Sequence, residues 1–137
     1  SRPLPPHAGL GVWRPAAHLP DSWETATVAL RLTDSRHPVV DAEDLGALIL
    51  LAQSYDPSSP PSDLRTLNGL DERSHEILRT IVEADSIRAA SATLGMHHST
   101  VQARHESLTR ELGYDPRATL GRARYTVAEL LLRLGID

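Results

Sequence analysis

Two stretches of apolar residues at helical spacing lie between Ser86 and Leu112, on either side of Gly95. The Ser86 hydroxyl can cap the free N–H groups at the start of the first helix, and Gly95 supplies the permissive backbone that a tight turn needs. The spacing therefore predicts a helix, a short turn and a second helix that runs to about Leu112. The apolar positions are Ile87, Ala90 and Leu94 in the first stretch and Val101, Leu108 and Leu112 in the second.

The start of the second helix is predicted from residues 99–102, whose sequence Ser-Thr-Val-Gln fits the S-x-x-Q capping box. In that arrangement the Ser99 hydroxyl and the Gln102 amide satisfy backbone donors at the helix start. The apolar positions leave the opposite side of this helix for water or a partner. That side carries Gln102, Ala103, Glu106 and Arg110.

Three features favour a DNA-reading helix-turn-helix over a helical pair that only contributes to a core. A glycine occupies the turn, and Val101 follows it six residues later and can anchor the second helix. Small residues in the first helix allow the two helices to approach closely. On the pattern alone, both interpretations stay open. The small residues are Ala89, Ala90, Ser91 and Ala92.

The N-terminal half predicts helices and one short strand. Residues 1–20 are rich in proline and indicate an irregular arm with a short extended piece near residues 11–13. Residues 21–24 are typical of a helix start, and residues 38–40 are typical of a short strand. Asp41 is expected to cap a second helix. The buried positions are expected to be Trp23, Ala26, Ala29, Leu30 and Leu32 in the first helix, which ends near Thr33, and Leu45, Leu48, Ile49 and Ala52 in the second.

The proline-rich run from Tyr55 to Pro61 breaks the second helix and is the best linker candidate. Beyond the helix-turn-helix, Asp115-Pro116 and Gly121 are expected to interrupt the helical structure that follows the motif. The last helix is rich in leucine and either closes the core or forms a dimer surface. The further helices are predicted near residues 63–68, from Asp71 to Ala84 and from Tyr125 to Leu134.

These elements predict a mainly α fold, a helical bundle that contains a helix-turn-helix, with a proline-rich N-terminal arm and at most one or two short strands. We assign residues 1–55 to a first segment with two helices, 56–62 to a linker and 63–137 to the helix-turn-helix domain. The chain begins at Ser1 without an initiator Met, and we expect it to be a fragment of a longer protein.

The net charge of −4 is unevenly distributed. Residues 1–85 hold seven arginines and thirteen acidic residues (−6), whereas residues 86–137 hold seven arginines and five acidic residues (+2). Because +2 is small for a protein that displaces counterions from phosphates, an isolated monomer should bind DNA weakly and with strong salt sensitivity. The absence of cysteine excludes disulfides and agrees with a cytoplasmic location. No window reaches the ~18 consecutive apolar residues of a membrane span.

The sequence gives little support for a metal site or for an enzyme active site. His98 and His105 can share a helical face with His97 adjacent, but no nearby Asp, Glu or Cys completes a metal site, so we predict neither metal nor cofactor. The acidic pairs at residues 43–44 and 71–72 fall in first turns of predicted helices, where they complement the helix dipole. No glycine-rich phosphate loop, H-E-x-x-H or G-x-S-x-G motif is present, and we predict that the chain is not an enzyme.

Residues 97–104 form the run H-x-x-T-V-x-x-R. With this run, the chain from Ser74 to its C-terminus resembles the C-terminal helix-turn-helix domain of PucR-type bacterial transcriptional regulators. Upstream, the sequences GVWRP, SWETATVALRL and VVDAEDLGALILLA resemble the tail of the GGDEF-like segment that often precedes this domain. The matching residues are Leu78, Thr80, Ser86, Ala89, Ala90, Leu94, His97, Thr100, Val101, Arg104, Leu108, Gly113 and Asp115.

Two positions depart from the family pattern. His105 stands where the family has a leucine, and helical spacing points it toward the core, either as a boundary histidine with satisfied hydrogen bonds or in an altered packing. Gln102 and Ala103 occupy positions that are commonly arginine and an aromatic residue. The resemblance implies an effector-responsive regulator in which an N-terminal part missing from this chain binds the effector.

We expect the helix at residues 99–112 to enter the major groove of double-stranded DNA with its N-terminal turn, in a homodimer. Gln102 would pair bidentately with adenine and Ala103 would contact a thymine methyl group. The alternative is a helical module that serves protein association, with weak or lost DNA binding. The other candidate contacts, mostly to the phosphate backbone, are His97, His98, Ser99, Thr100, Arg104 and Arg110 in the second helix and Ser86 and Arg88 in the first.

Overall fold

Helices make up most of the computed structural model, which describes residues 6–135. The predicted fold class is confirmed, since the described residues form eight α-helices and two short strands. The chain divides into two units: the first holds the chain up to Pro60 together with its end from Leu130, and the second holds Pro61–Glu129. The division at Pro60 falls within the predicted linker. The end of the chain, however, belongs to the first unit and not to the unit of the helix-turn-helix.

The first unit contains a two-stranded parallel sheet. Its register pairs Ala8 with Val39 and Leu10 with Asp41. Parallel strands need a crossover connection, and the first helix of the chain supplies it. The elements are β1 (Ala8–Leu10), a 3₁₀ turn (Ala16–His18), α1 (Leu19–Arg31), β2 (Val39–Asp41), α2 (Ala42–Leu45) and α3 (Leu48–Ser54).

The start and the buried face of α1 differ from the prediction. The helix begins at Leu19, two residues before Asp21, because Pro20 fits a first turn, where its missing N–H is not needed. Ala29 and Leu32 are fully buried, but Trp23 is 76% exposed and Leu30 is 48% exposed. Trp23 precedes Ala29 by six residues, about 240° around the helix, so the two cannot share one face.

The strand and the second helix are also corrected in part. The strand predicted at residues 38–40 is confirmed as β2, but the extended piece near residues 11–13 lies earlier, as β1. Asp41 caps α2 as predicted, with its Oδ1 accepting from the Glu43 N–H at 2.9 Å. Gly46, with φ 53° and ψ −131°, then divides the predicted single helix into α2 and α3. Of its predicted buried stripe, only Ala52 is buried, whereas Leu45, Leu48 and Ile49 are half-buried.

The second unit is all helical. Its second helix begins at Glu72, and Asp71, predicted to lie in the first turn, is its cap, with Oδ1 accepting from the Ser74 N–H at 2.7 Å. The largest fully buried side chains of this unit include Leu64, Leu67, Ile77, Leu78, Ile81 and Val101. Its elements are α4 (Ser62–Asn68), α5 (Glu72–Glu83), α6 (Ile87–Leu94), α7 (His98–Leu112) and the greater part of α8 (Thr119–Leu132).

The helix α8 begins six residues earlier than the predicted start at Tyr125. Contrary to the prediction, Gly121 does not interrupt the helical structure but lies inside this helix. The backbone there passes so close to the Asp115 carbonyl that a Cβ at position 121 would overlap it. Glycine is therefore required by close approach and not by a turn.

Residues 133–135 are fixed within the first unit by hydrogen bonds to main-chain carbonyls. Arg133 donates to the Leu32 carbonyl at 3.0 Å, and the Tyr55 hydroxyl donates to the Gly135 carbonyl at 2.7 Å. Within residues 6–135, none of the helices is long and apolar enough to cross a bilayer. Of the predicted irregular arm at residues 1–20, positions 1–5 lie outside the described residues, as does the end of the predicted C-terminal domain at 136–137. The described part of the arm is not wholly irregular, because it holds β1, the 3₁₀ turn and the first two residues of α1.

Candidate nucleic-acid interface

The turn between α6 and α7 has the geometry that the sequence predicts. The Ser86 Oγ caps α6 by accepting from the Ala89 N–H at 3.0 Å. Gly95 then adopts the left-handed conformation, with φ 64° and ψ 29°. The Met96 N–H donates to the Ser91 carbonyl at 3.1 Å, which closes the turn with a bond typical of helices that end in glycine.

Buried small and branched residues hold the two helices of the motif. Ala90 in α6 and Val101 in α7 are both fully buried. Ser91 is also buried, and its hydroxyl donates to the Ile87 carbonyl at 2.8 Å, so burial leaves no unpaired hydroxyl there. Leu108 and Leu112 are buried as predicted. The helix-turn-helix geometry is therefore anchored from the core side of both helices.

The predicted capping box at Ser99 is wrong. The helix α7 begins at His98, and its cap is His97, whose Nδ1 accepts from the Ser99 N–H at 3.2 Å. Ser99 therefore lies in the first turn of α7, because the helix begins two residues earlier than predicted. Since Nδ1 accepts a hydrogen bond, the neutral His97 ring carries its proton on Nε2. Gln102 does not reach back to the cap, and its Nε2 donates to Glu106 Oε1 at 3.3 Å.

Most of the predicted contact residues lie exposed on the helix-turn-helix. Gln102 is half-buried in the second turn of α7, and Ala103 beside it is exposed. The Ser86 hydroxyl accepts a bond as a cap, but its proton is still free to donate to a phosphate. The structure therefore keeps these side chains accessible to a ligand. The exposed residues are Ser86, Arg88, His97, His98, Ser99, Thr100, Ala103 and Arg110.

Arg104 is placed differently from the other candidates. Its side chain is half-buried, and Nη2 donates to the Ser74 Oγ of α5 at 2.8 Å, while Nε is buried without a partner in the described part of the chain. Hydrogen bonds from Ser74, and to a smaller extent the Arg104 charge, hold the pKa of Asp71 below its usual range. Arg104 thus connects α7 to the capped start of α5.

His105 is a boundary histidine that joins α7 to the segment before α8. Its side chain is 15% exposed, and Nε2 lies 2.9 Å from Asp115 Oδ1. Its Nδ1 is buried without a partner among the described residues, so only one ring nitrogen is satisfied. The Asp115 carboxylate also accepts a hydrogen bond from the Arg117 N–H. The pKa of Asp115 is lowered mainly by the Arg117 bond and to a smaller extent by the His105 bond.

Arg73 is a basic residue near the motif that the sequence pattern missed. It is exposed at the start of α5, and its guanidinium contacts Glu76 Oε2 at 2.6 Å and Met96 Sδ at 3.5 Å. Met96 belongs to the turn of the helix-turn-helix, which places Arg73 beside that turn. A separation of 23 residues in sequence gives no local signal for this proximity.

The second unit carries little excess of basic charge. Residues 61–129 contain nine arginines and ten acidic residues, a net charge of −1. Arg79 pairs with Glu129 at 3.4 Å and Arg124 with Asp63 at 2.8 Å, which uses two of these cations. Within the described part of this unit, exposed arginines without a side-chain partner are Arg88, Arg110 and Arg122.

The histidines do not converge on a metal site. His98 is exposed, whereas His105 is paired with Asp115. Across residues 6–135, no three side chains of His, Asp or Glu come together in a group that could hold a metal ion.

Comparisons of the chain with protein-family models, with curated proteins and with solved structures find no match. The resemblance to PucR-type regulators therefore stays a prediction that rests on the residues of the chain itself.

Proposed function

We propose that this chain binds double-stranded DNA in a sequence-specific manner, with the N-terminal turn of α7 in the major groove. The observation that carries this proposal is the exposed start of α7, mounted on α6 through the left-handed Gly95 and the buried Val101. A helix held in this way can enter a major groove about 12 Å wide while its opposite face stays in the core.

The chemistry of the exposed residues fits a groove. Gln102 uses one Nε2 proton toward Glu106, which leaves its Oε1 and its second Nε2 proton for bidentate pairing with adenine. Ala103 presents a methyl group to thymine. His98 and Thr100, exposed at the helix start, can donate to phosphate oxygens.

The regulatory role that we propose follows the resemblance. The chain would act as the DNA-binding region of an effector-responsive bacterial transcriptional regulator in the cytoplasm. Since the second unit has a net charge of −1, one copy neutralises few phosphates, and a homodimer on two half-sites would double the contacts. Half-sites centred about 10 base pairs apart, or a multiple of that, would match a two-fold symmetric dimer.

The test is selection from a random pool of DNA duplexes, followed by fluorescence anisotropy on the selected duplex. We expect Gln102→Ala to weaken binding to the selected duplex about tenfold or more and to leave binding to unrelated DNA unchanged. Arg88→Ala should weaken both and lower the salt dependence, because it removes a phosphate contact.

Arg122→Ala is the matched control for the loss of charge. Arg122 is exposed and lies in α8, outside the helix-turn-helix. It should leave the affinity within about twofold of the wild type, since it removes no groove contact. Equal affinities for Gln102→Ala, Arg88→Ala and the wild type would reject the proposal.

A second candidate function is protein association through the same helices. The observation that favours it is the acidic character of the exposed side of α7, where Glu106 and Glu111 accompany Arg110. Sedimentation in 0.05–0.5 M salt, a range of about one decade, distinguishes the two. Self-association that is insensitive to salt, without a shift on adding DNA, would favour the association module.

A further inference from the structure

A carboxylate lies on the exposed side of α7 one helical turn beyond Gln102. Glu106 is exposed, and its Oε1 accepts from Gln102 Nε2 at 3.3 Å. Within residues 6–135, no arginine or histidine nitrogen lies within 4.0 Å of this carboxylate. Among the described residues its negative charge therefore has no ion-pair partner, although Glu106 lies on the side of α7 that carries the proposed DNA contacts.

We propose that Glu106 reads a base, by accepting a hydrogen bond from the N4 amino group of a cytosine; this inference rests on the proposed DNA binding. A carboxylate only accepts, and Gln102 occupies just one of its roughly four lone-pair sites. In the major groove cytosine presents an amino donor alone, adenine presents an amino donor beside the acceptor N7, guanine presents the acceptors O6 and N7, and thymine presents O4. An acceptor at this position therefore favours cytosine and repels guanine and thymine.

The spacing along α7 limits how far apart the base pairs read by Gln102 and Glu106 can lie. Four residues correspond to about 6 Å along the helix axis, and base pairs are stacked about 3.4 Å apart. The base read by Glu106 should thus lie within two base pairs of the adenine read by Gln102. The hydrogen bond between the two side chains fixes the orientation of the Gln102 amide without using up its adenine-pairing groups.

The uncompensated charge also lowers binding to DNA of unrelated sequence. Non-specific binding depends on phosphate neutralisation, and a carboxylate close to the phosphates opposes it. The hydrogen bond to cytosine offsets this repulsion only on the correct site. Glu106 therefore increases the ratio of specific to non-specific affinity, which phosphate contacts do not do because they carry no sequence information.

The experiment is random-pool duplex selection with four forms of this chain: wild type, Gln102→Ala, Glu106→Gln and Glu111→Gln. Glu111 is exposed near the end of the same helix, so Glu111→Gln makes the same charge change away from the N-terminal turn. We expect the wild type to enrich an adenine with a cytosine within two base pairs. Glu106→Gln should reduce the cytosine preference about tenfold and keep the adenine. Gln102→Ala should do the reverse, and Glu111→Gln should keep both.

Two outcomes overturn the inference while the proposed function stands. One is an unchanged motif for Glu106→Gln. The other is a change at the same position that Gln102→Ala alters, which would make Glu106 a positioning residue for Gln102. Failure of the proposed function is a different result, in which the wild type enriches no sequence and shows no anisotropy change with any duplex. Equal thermal midpoints for Glu106→Gln and Glu111→Gln would exclude misfolding as the cause of a difference.

Discussion

Arg117 connects the segment before α8 to the C-terminal end of α5. Its guanidinium donates to the Ile81 and Ala84 carbonyls at 2.6 and 2.9 Å and to the Asp85 carbonyl at 3.0 Å. The last carbonyls of a helix have no partner within the helix, and Arg117 binds one of these, that of Ile81, together with the carbonyls of the cap residue Ala84 and of Asp85 just beyond it. This role has no local sequence signal, because the partners lie more than 30 residues away.

We therefore expect Arg117→Ala to lower the free energy of unfolding by about 1.5–3 kcal/mol, the typical value for hydrogen bonds that involve a charged group. Urea unfolding followed by circular dichroism measures the change. Arg122→Ala, which removes an exposed arginine, should stay within about 0.5 kcal/mol of the wild type. Equal losses for the two variants would contradict the role assigned to Arg117.

At the scale of elements, the start of α7 distinguishes the sequence prediction from the structure. The capping box predicts that Ser99→Ala destabilises the helix. The structure instead makes His97 the cap, with Nδ1 accepting from the Ser99 N–H. We expect His97→Ala to cost about 1 kcal/mol of unfolding free energy and Ser99→Ala clearly less, while His97→Asp keeps a cap. Urea denaturation of the three variants tests this order of unfolding free energies. A larger loss for Ser99→Ala than for His97→Ala would support the predicted capping box instead.

The turn between α6 and α7 gives a second prediction for the elements. Gly95 has φ 64°, and a Cβ there would meet open space, so a substitution changes backbone strain without adding a clash. Gly95→Ala should therefore cost about 1–2 kcal/mol of unfolding free energy, and Gly95→Asn less, since asparagine tolerates the left-handed region better. Thermal unfolding compares the two. A neutral Gly95→Ala would show that the turn takes another conformation.

The sequence was sufficient where the signal is local. The Ser86 and Asp41 caps and the buried stripe of α7 follow from short-range spacing, and the structure confirms them. The start of α7 was mispredicted because histidine is not among the usual cap residues. The contact of Arg104 with Ser74 spans 30 residues and could not be predicted from spacing. The same holds for the bond from Tyr55 to Gly135, which spans 80.

At the scale of the whole molecule, several carboxylates are held in their charged form by the fold. The Arg124 hydrogen bond lowers the pKa of Asp63, and hydrogen bonds from Ser74 and Arg117 lower those of Asp71 and Asp115 below the usual value of 3.8. Since the folded pKa lies below the unfolded one, the unfolded chain binds more protons in acid. The stabilisation is present above about pH 4 and is lost as the pH falls through the folded values.

Asp71→Asn isolates one of these groups. Asparagine caps a helix about as well as aspartate, so the variant should match the wild type below the folded-state pKa of Asp71, where the charge-linked stabilisation has been lost. At neutral pH the wild type should be the more stable of the two, because only its carboxylate gains from the hydrogen bonds of Ser74 in its charged form. Urea unfolding from pH 2 to 7 should thus show that the free energy of unfolding falls less in acid for Asp71→Asn than for the wild type. Parallel curves for the two proteins would show that Asp71 titrates alike in the folded and unfolded chains, and would remove it from the groups that make the fold sensitive to acid.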